Sequence, residues 1–253
     1  MSKQTFSIKE NEIKSISFPI QNQTKINGKI TLDFDDVFSF DNTFYFTTNS
    51  IKKINVFSIG KNHQFLSKIY TKNEFNFSTS SLQNSNYNVL EKQELIILNE
   101  LEELPTTLRT FLQTHLKEGK SLVIIPNENL NINSYNSYFS NNQIGNIFNK
   151  VSDSLKITNI NFKNPFFKNV FSKDVQNFQY PVVKNYYTSN FKQASSLLNF
   201  ENQQDFINQI STKKGNVFWI ASPLNTNTSN FTSSPLVVPV FYNFGKLSAK
   251  YPK

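Results

Sequence analysis

The stretch that decides the fold is ELIILNELEELPTTLRTFLQTHLKEGKSLVIIP, residues 94–126. Leu95 to Leu98 and Leu122 to Ile125 are unbroken apolar runs, as strands buried on both faces tend to be. Between them, Pro105 suits the first turn of a helix. Leu108, Phe111, Leu112, His115 and Leu116 then recur at helical spacing and make one stripe through Glu118. Gly119 stands where such a helix stops. Strand, helix and buried strand in succession predict a parallel pair joined by a crossover.

The same grammar extends in both directions. Upstream, Ile54 to Ile59 (INVFSI) reads as a buried strand ending at Gly60, Asn62 caps a short helix through Tyr70, and Asn76 to Ser80 is a weaker strand. Downstream, 182–187 and 215–222 read as strands, and 132–139 and 235–244 as short helices. The interval 140–180 is Asn-rich and reads as irregular, with anchors at Phe162, Phe166, Phe167, Phe171 and Phe178. Residues 51–253 are therefore expected to be an α/β domain with a flavodoxin-like parallel sheet and helices on both faces. Residues 1–50 use a different grammar. Phe6 and Ile8, Ile13 to Ile20, Ile26 to Phe34 and Phe38 to Thr48 alternate as strands do, and Asn27-Gly28 is a hairpin signal. This predicts a partial, Ig-like β-sandwich. Half a sandwich exposes an apolar face, so the segment reads as the end of a longer β domain.

Composition narrows the class. Of 253 residues, 38% are hydrophobic and 15% aromatic, including 26 phenylalanines, which excludes a disordered chain. No run reaches the ~20 apolar residues of a membrane-spanning helix, and residues 1–11 lack the apolar core of a signal peptide. The net charge is +8, and residues 131–253 carry twelve lysines against four acids. The lysines are scattered, and Arg109 is the single arginine. A solvated surface explains this better than a nucleic-acid face, which favours arginine. With no cysteine, disulfides, thiolate metal sites and cysteine nucleophiles are all excluded.

Open α/β sheets place their sites at the carboxyl ends of strands. Here those ends are Gly60-Lys61-Asn62-His63, Asn99-Glu100 and Pro126-Asn127-Glu128. A phosphate-binding loop at Gly60-Lys61 fails, because Asn55 and Asn62 replace its glycine and its hydroxyl. Neither a G-x-S-x-G elbow nor an H-x-x-x-H pair occurs. His63 lies at a helix start, and His115 lies on an apolar stripe and reads as packed. Asp33, Asp35, Asp36 and Asp41 have calcium-type oxygens but lack the EF-hand glycine and glutamate, so they read as an exposed strand face. Glu100, Glu102 and Glu103 read as acids near the positive end of the next helix. Ala221 to Thr232, beside Trp219 and Phe231, reads as an anchored polar loop in preference to a sugar site. The candidate ligand-binding residues are Asn62, His63, Glu100 and Asn127. No catalytic residue, metal or cofactor is expected.

An ordered set of motifs carries a resemblance. The 94–126 core, NPFFKNVF (164–171), YPVVKNYY (180–187), SPLNTNTSNFTSSPLVVPVFYNFG (222–245) and FDDVFSFDNTFYF (34–46) resemble the C-terminal soluble region of BatA-like membrane proteins of Bacteroidota. Those proteins carry an aerotolerance-regulator, double-transmembrane N-terminal domain, and their last domain is similar to class I glutamine amidotransferases. The resemblance implies a periplasm-facing module whose membrane anchor lies upstream, with envelope or membrane proteins as partners and a link to stress tolerance. The cysteine that active amidotransferases carry after the strand matched by 121–126 is replaced here by Pro126-Asn127, which implies a scaffold without glutaminase chemistry. The alternative is an extracytoplasmic module that binds glycan or peptide through the strand-end loops. Nucleic acid is not an expected partner.

Overall fold

The computed structural model describes residues 2–19, 25–33, 39–49, 52–61, 63–168 and 179–249. The chain forms two compact units, residues 1–52 and 53–253.

In the first unit, β1 (Lys25–Thr31) pairs antiparallel with β2 (Thr43–Asn49). Residues 2–19 form neither strand nor helix, so the strands expected there are corrected. Among the described residues this unit is one hairpin, and Phe34 to Phe38 with Asp35 and Asp36 lie outside them. Asn27-Gly28 is corrected too, since it sits inside β1 and not at a turn. Gly28 faces Phe46 in the register, and a Cβ on Gly28 would lie 2.1 Å from the Phe46 ring. The glycine makes room for a cross-strand ring, a role that competes with the turn reading. Asp33 pairs with Lys3 at 3.0 Å on an exposed surface.

The second unit begins with β3 (Ile54–Gly60), α1 (Gln64–Ile69), β4 (Phe75–Ser80) and α2 (Tyr87–Leu90). It continues with β5 (Leu95–Leu101), α3 (Thr106–Lys117), β6 (Ser121–Pro126) and α4 (Ile132–Asn141). Then come β7 (Gly145–Val151), β8 (Leu155–Ile160), β9 (Val182–Val183), β10 (Tyr186–Phe191) and β11 (Ala194–Phe200). Last are β12 (Asp205–Ser211), β13 (Asn216–Ile220) and α5 (Val237–Ser248). The main sheet has the order β4-β3-β5-β6-β13-β12-β11-β8-β9. From β4 to β13 every pairing is parallel, in the second-first-third-fourth-fifth order of doubly wound sheets.

The rest of that sheet is antiparallel, from β13 through β12, β11 and β8 to β9. The expected parallel sheet is therefore a mixed one. The interval read as irregular supplies β7 and β8, while 182–187 breaks into β9, which pairs with β8, and β10, which pairs with β7 in a separate ribbon. Phe171 and Phe178 lie outside the described residues.

Alternation along the central strands divides the core. Leu95, Ile97, Val123, Ile125, Phe218 and Ile220 face one side, which α1 and α5 cover. Ile96, Leu98, Leu122, Ile124, Val217 and Trp219 face the other, under α2, α3 and α4. Phenylalanine does much of the filling. Phe244 meets Phe218 at 4.5 Å, Phe241 at 5.2 Å and Phe166 at 5.4 Å between ring centroids. On the opposite face Phe139 and Phe191 both pack edge-on to Trp219. Such pairs add about 0.5–1.5 kcal/mol each beyond area burial. We expect Phe244→Ala to lower unfolding free energy in urea by about 3–5 kcal/mol. Phe148→Ser, at a site 56% exposed in the same unit, should shift it by no more than about 0.5 kcal/mol. Equal effects would contradict this assignment of the core.

Candidate functional site

The parallel strands β3, β5, β6 and β13 end along one edge, where the sequence placed its candidates. At the end of β3, Gly60 adopts φ +134° beside Asn99, and a Cβ there would lie 1.9 Å from the Asn99 carbonyl oxygen. Only a glycine allows that approach. Lys61 N–H donates to the Asn99 carbonyl at 3.2 Å, and the Asn99 amide returns a bond to the Lys61 carbonyl.

His63 is the residue before α1 and is half-buried. Its Nε2 lies 3.0 Å from the Gly60 carbonyl and its Nδ1 lies 3.0 Å from Ser58 Oγ. A carbonyl only accepts, so Nε2 carries the hydrogen and the Ser58 hydroxyl donates to Nδ1. Desolvation pulls the ring below its usual 6.5, partly opposed by the Gly60 bond. Asn62, its neighbour in the candidate set, lies outside the described residues.

Glu100 follows Asn99 with φ +57°, a left-handed value that costs an L-residue energy unless its surroundings hold it. The side chain is buried, and Oε1 accepts from the Leu224 backbone N–H at 3.0 Å and more distantly from the Asn225 side-chain Nδ2 at 3.4 Å. Glu100 therefore leaves the exposed Glu102 and Glu103 and turns inward. Asn127, after β6, donates to the Glu100 carbonyl at 2.9 Å, and its Oδ1 accepts from the Asn129 amide at 2.8 Å. The structure thus joins Glu100 and Asn127 directly. His63 bonds instead to Ser58 and Gly60, on its own side of the strand edge.

Two further residues belong to this edge, and the sequence reading did not select them. Asn99 stood within a quoted strand end without being assigned a role. Tyr187, on β10, is buried, and its hydroxyl shares its hydrogen between the Asn127 carbonyl at 2.9 Å and the Glu128 carbonyl at 2.8 Å. That oxygen also accepts from the Leu130 amide at 3.1 Å. Burial raises the Tyr187 pKa, with the Leu130 bond opposing it and Glu128 adding to it. The phenol therefore stays protonated and able to donate. The only cue in sequence was the YY pair at 186–187.

The Ala221–Thr232 segment is a structural loop. The Asn225 side chain accepts from the Asn227 and Thr228 amides at 3.1 and 3.2 Å, and the Thr228 hydroxyl reaches the Pro223 carbonyl at 3.1 Å. Ser222 and Thr228 are fully buried. His115 is packed as well, with Nε2–H donating to the Ser121 carbonyl at 3.1 Å. Among the described residues no cluster of three or more His, Asp or Glu side chains could hold a metal. No helix among them is long and apolar enough to cross a membrane.

No known family profile matches the chain, and no curated protein matches it in sequence. Solved structures do match in fold. The cytoplasmic protein STM3548 from Salmonella typhimurium has a TM-score of 0.59 at 13% identity, covering 88% of this chain and 94% of its own. The cytoplasmic protein STM1381 from Salmonella typhimurium LT2 also has a TM-score of 0.59, at 12% identity, with 89% of this chain and 96% of its own covered. A ThuA-like protein from Bacteroides uniformis reaches 0.50 at 11% identity over 80% of this chain and 92% of its own. This chain shares their mixed α/β fold.

Two outcomes test the edge. Tyr187→Phe leaves the buried Leu130 amide without its acceptor and should cost about 1–3 kcal/mol in urea unfolding. A loss under about 0.3 kcal/mol would show that the phenol does not brace the loop. For His63, whose folded pKa lies below the unfolded 6.5, the stabilising neutral ring is fully present above pH 6.5. That contribution is lost as pH falls through the folded value. The Hε1 resonance should titrate with a midpoint below 6.5, and His63→Gln should flatten the loss of stability on acidification from about pH 7 to 5.

Proposed function

We propose that this chain is a non-catalytic interaction module built on an amidotransferase-like, flavodoxin-type scaffold. One observation carries the reading. The turn after β6, where active amidotransferases present their nucleophile, is Pro126-Asn127, and both ends of the Asn127 side chain are held by backbone groups. A prolyl ring and a bonded carboxamide have no lone pair suited to attack a carbonyl carbon. Glu100, whose carbonyl accepts from Asn127, has its carboxylate turned to Leu224 N–H. His63 is a neutral ring whose acceptor nitrogen is engaged by Ser58.

The motif resemblance supports placing this module in a membrane-anchored, BatA-like envelope protein. In that reading the module faces the periplasm, has envelope or membrane proteins as partners, and takes part in stress tolerance. The hairpin of residues 25–49 then belongs to the end of a β-sandwich. The glycan or peptide alternative would require a ligand to break the Asn127 and Glu100 bonds that now close the strand ends, so the scaffold reading is preferred.

The purified chain should show no hydrolysis of glutamine, p-nitrophenyl esters or simple amides above buffer rates. Turnover that disappears on changing Asn127, Glu100 or His63 singly would overturn the non-catalytic reading. Location is checked separately, by proteolysis of intact spheroplasts expressing the native gene with a C-terminal tag. Cleavage of the tag without lysis is expected, and protection until lysis would remove the envelope assignment.

A further inference from the structure

A second recess lies away from the strand ends, between α2 and α3. It is an open groove of about 520 Å³ whose lining includes Tyr87, Phe111, Glu91 and Glu118, a size typical of small-molecule sites. We propose that this groove binds a small organic cation with an apolar body, of the alkyl- or aryl-ammonium class. The site is independent of the scaffold reading above and stands or falls separately from it.

Three observations point to a cation. First, the Tyr87 and Phe111 rings meet at 63° with centroids 5.3 Å apart. They form an aromatic corner whose faces carry the negative quadrupole that attracts ammonium groups. Both rings are only half-buried, so they keep area for a ligand. Second, two acidic residues, Glu91 and Glu118, are among the lining of this groove in a chain whose net charge is +8. Lys120 answers one of them, its ammonium lying 2.7 Å from Glu118 and 2.5 Å from the Glu91 carbonyl. With His115 neutral, the lining counts two acids against the one ammonium of Lys120, an acidic balance. Third, Glu118 follows the last residue of α3, at the end where the helix macrodipole is negative.

The hydroxyls beside the rings argue against a sugar. Thr110 and Thr114 each donate to the carbonyl four residues back, at 3.1 and 3.3 Å, and Thr106 Oγ1 accepts from Arg109 at 2.9 Å. The hydrogens of Thr110 and Thr114 are thus committed within the helix. The groove offers ring faces and negative charge, with few directional donors for a polyol.

The test uses the whole chain, followed by amide chemical shifts in NMR. Choline is the probe, 3,3-dimethylbutan-1-ol is its neutral isostere, and glucose is the polyol control. Choline should give saturable shifts confined to residues 87–91 and 106–120. The isostere should bind about tenfold more weakly, as expected for loss of one cation–π and carboxylate contact. Glu91→Gln and Glu118→Gln should each weaken choline several-fold without changing the fold. Phe111→Leu, which keeps apolar volume and removes the ring, should do the same. Absence of saturation up to roughly 100 mM choline, a range that covers millimolar affinity, would overturn the proposal. So would equal binding of the isostere, or glucose binding more tightly than choline.

Discussion

The carboxylate of Glu100 holds the edge on which the rest of the domain depends. Its backbone turns left-handed at the end of β5, which aims the side chain across to the amide of Leu224 in the segment after β13. A parallel sheet ends with all its strand termini along one edge, and buried polar groups there need partners or they cost free energy. In this chain, side chains supply them in sequence across the edge. Asn99 ties β5 to the end of β3, Asn127 ties the turn after β6 to β5, and Tyr187 ties β10 to the residues following β6. Each bond is ordinary in strength. Together they carry the bracing of the strand ends past the last ladder pairs, Gly60 with Asn99 and Leu101 with Pro126.

That network also bears on chemistry. In open α/β sheets the same edge is where reacting groups are usually displayed. A side chain cannot serve both uses at once, because a nucleophile or base must have a lone pair turned towards the crevice. Asn127 gives its amide to one strand end and its oxygen to its own turn, and Glu100 gives its carboxylate to a backbone N–H. Ser58 and His63 form a hydroxyl–imidazole pair of the kind seen in catalysis. Yet Ser58 is fully buried inside β3, and the imidazole's N–H is directed to Gly60. The pair thus fastens the entry to α1.

The parts of this fold legible in the sequence were those with strong, one-sided signals. The runs 95–98 and 122–125 are apolar throughout, 54–59 is interrupted by Asn55 and Ser58 alone, and the three became β5, β6 and β3. The stripe of α3 also read directly, because four of its five members are buried and Phe111 is half-buried. The second half was harder for a physical reason. In β7 only Ile147 is buried, and β11 and β12 interleave Ser, Asn and Gln with Leu, Ile and Phe. Bulges in the pairing of β11 shift its alternation, which blurs the period-two pattern a strand is recognised by. Gly28 misled for the opposite reason. Asn-Gly is a strong turn signal locally, but a cross-strand ring needed the missing side chain.

Of the candidate residues, Glu100 and Asn127 were found because strand ends are predictable once strands are. Their roles were not. Nothing in Asn127 or Tyr187 as letters says that one will bond the strand beside it and the other will reach the same loop from sixty residues away. Those contacts depend on β10 leaving the main sheet to pair with β7, a tertiary choice with no local signature. The division between brace and reactive site is therefore set by long-range pairing. A cysteine in place of Asn127 would put a thiol in the turn, yet it could not hold the Glu100 carbonyl and the Asn129 amide as the carboxamide does. A side chain at this position either braces the edge or turns its polar atoms to the crevice, and here both polar ends of Asn127 are bonded.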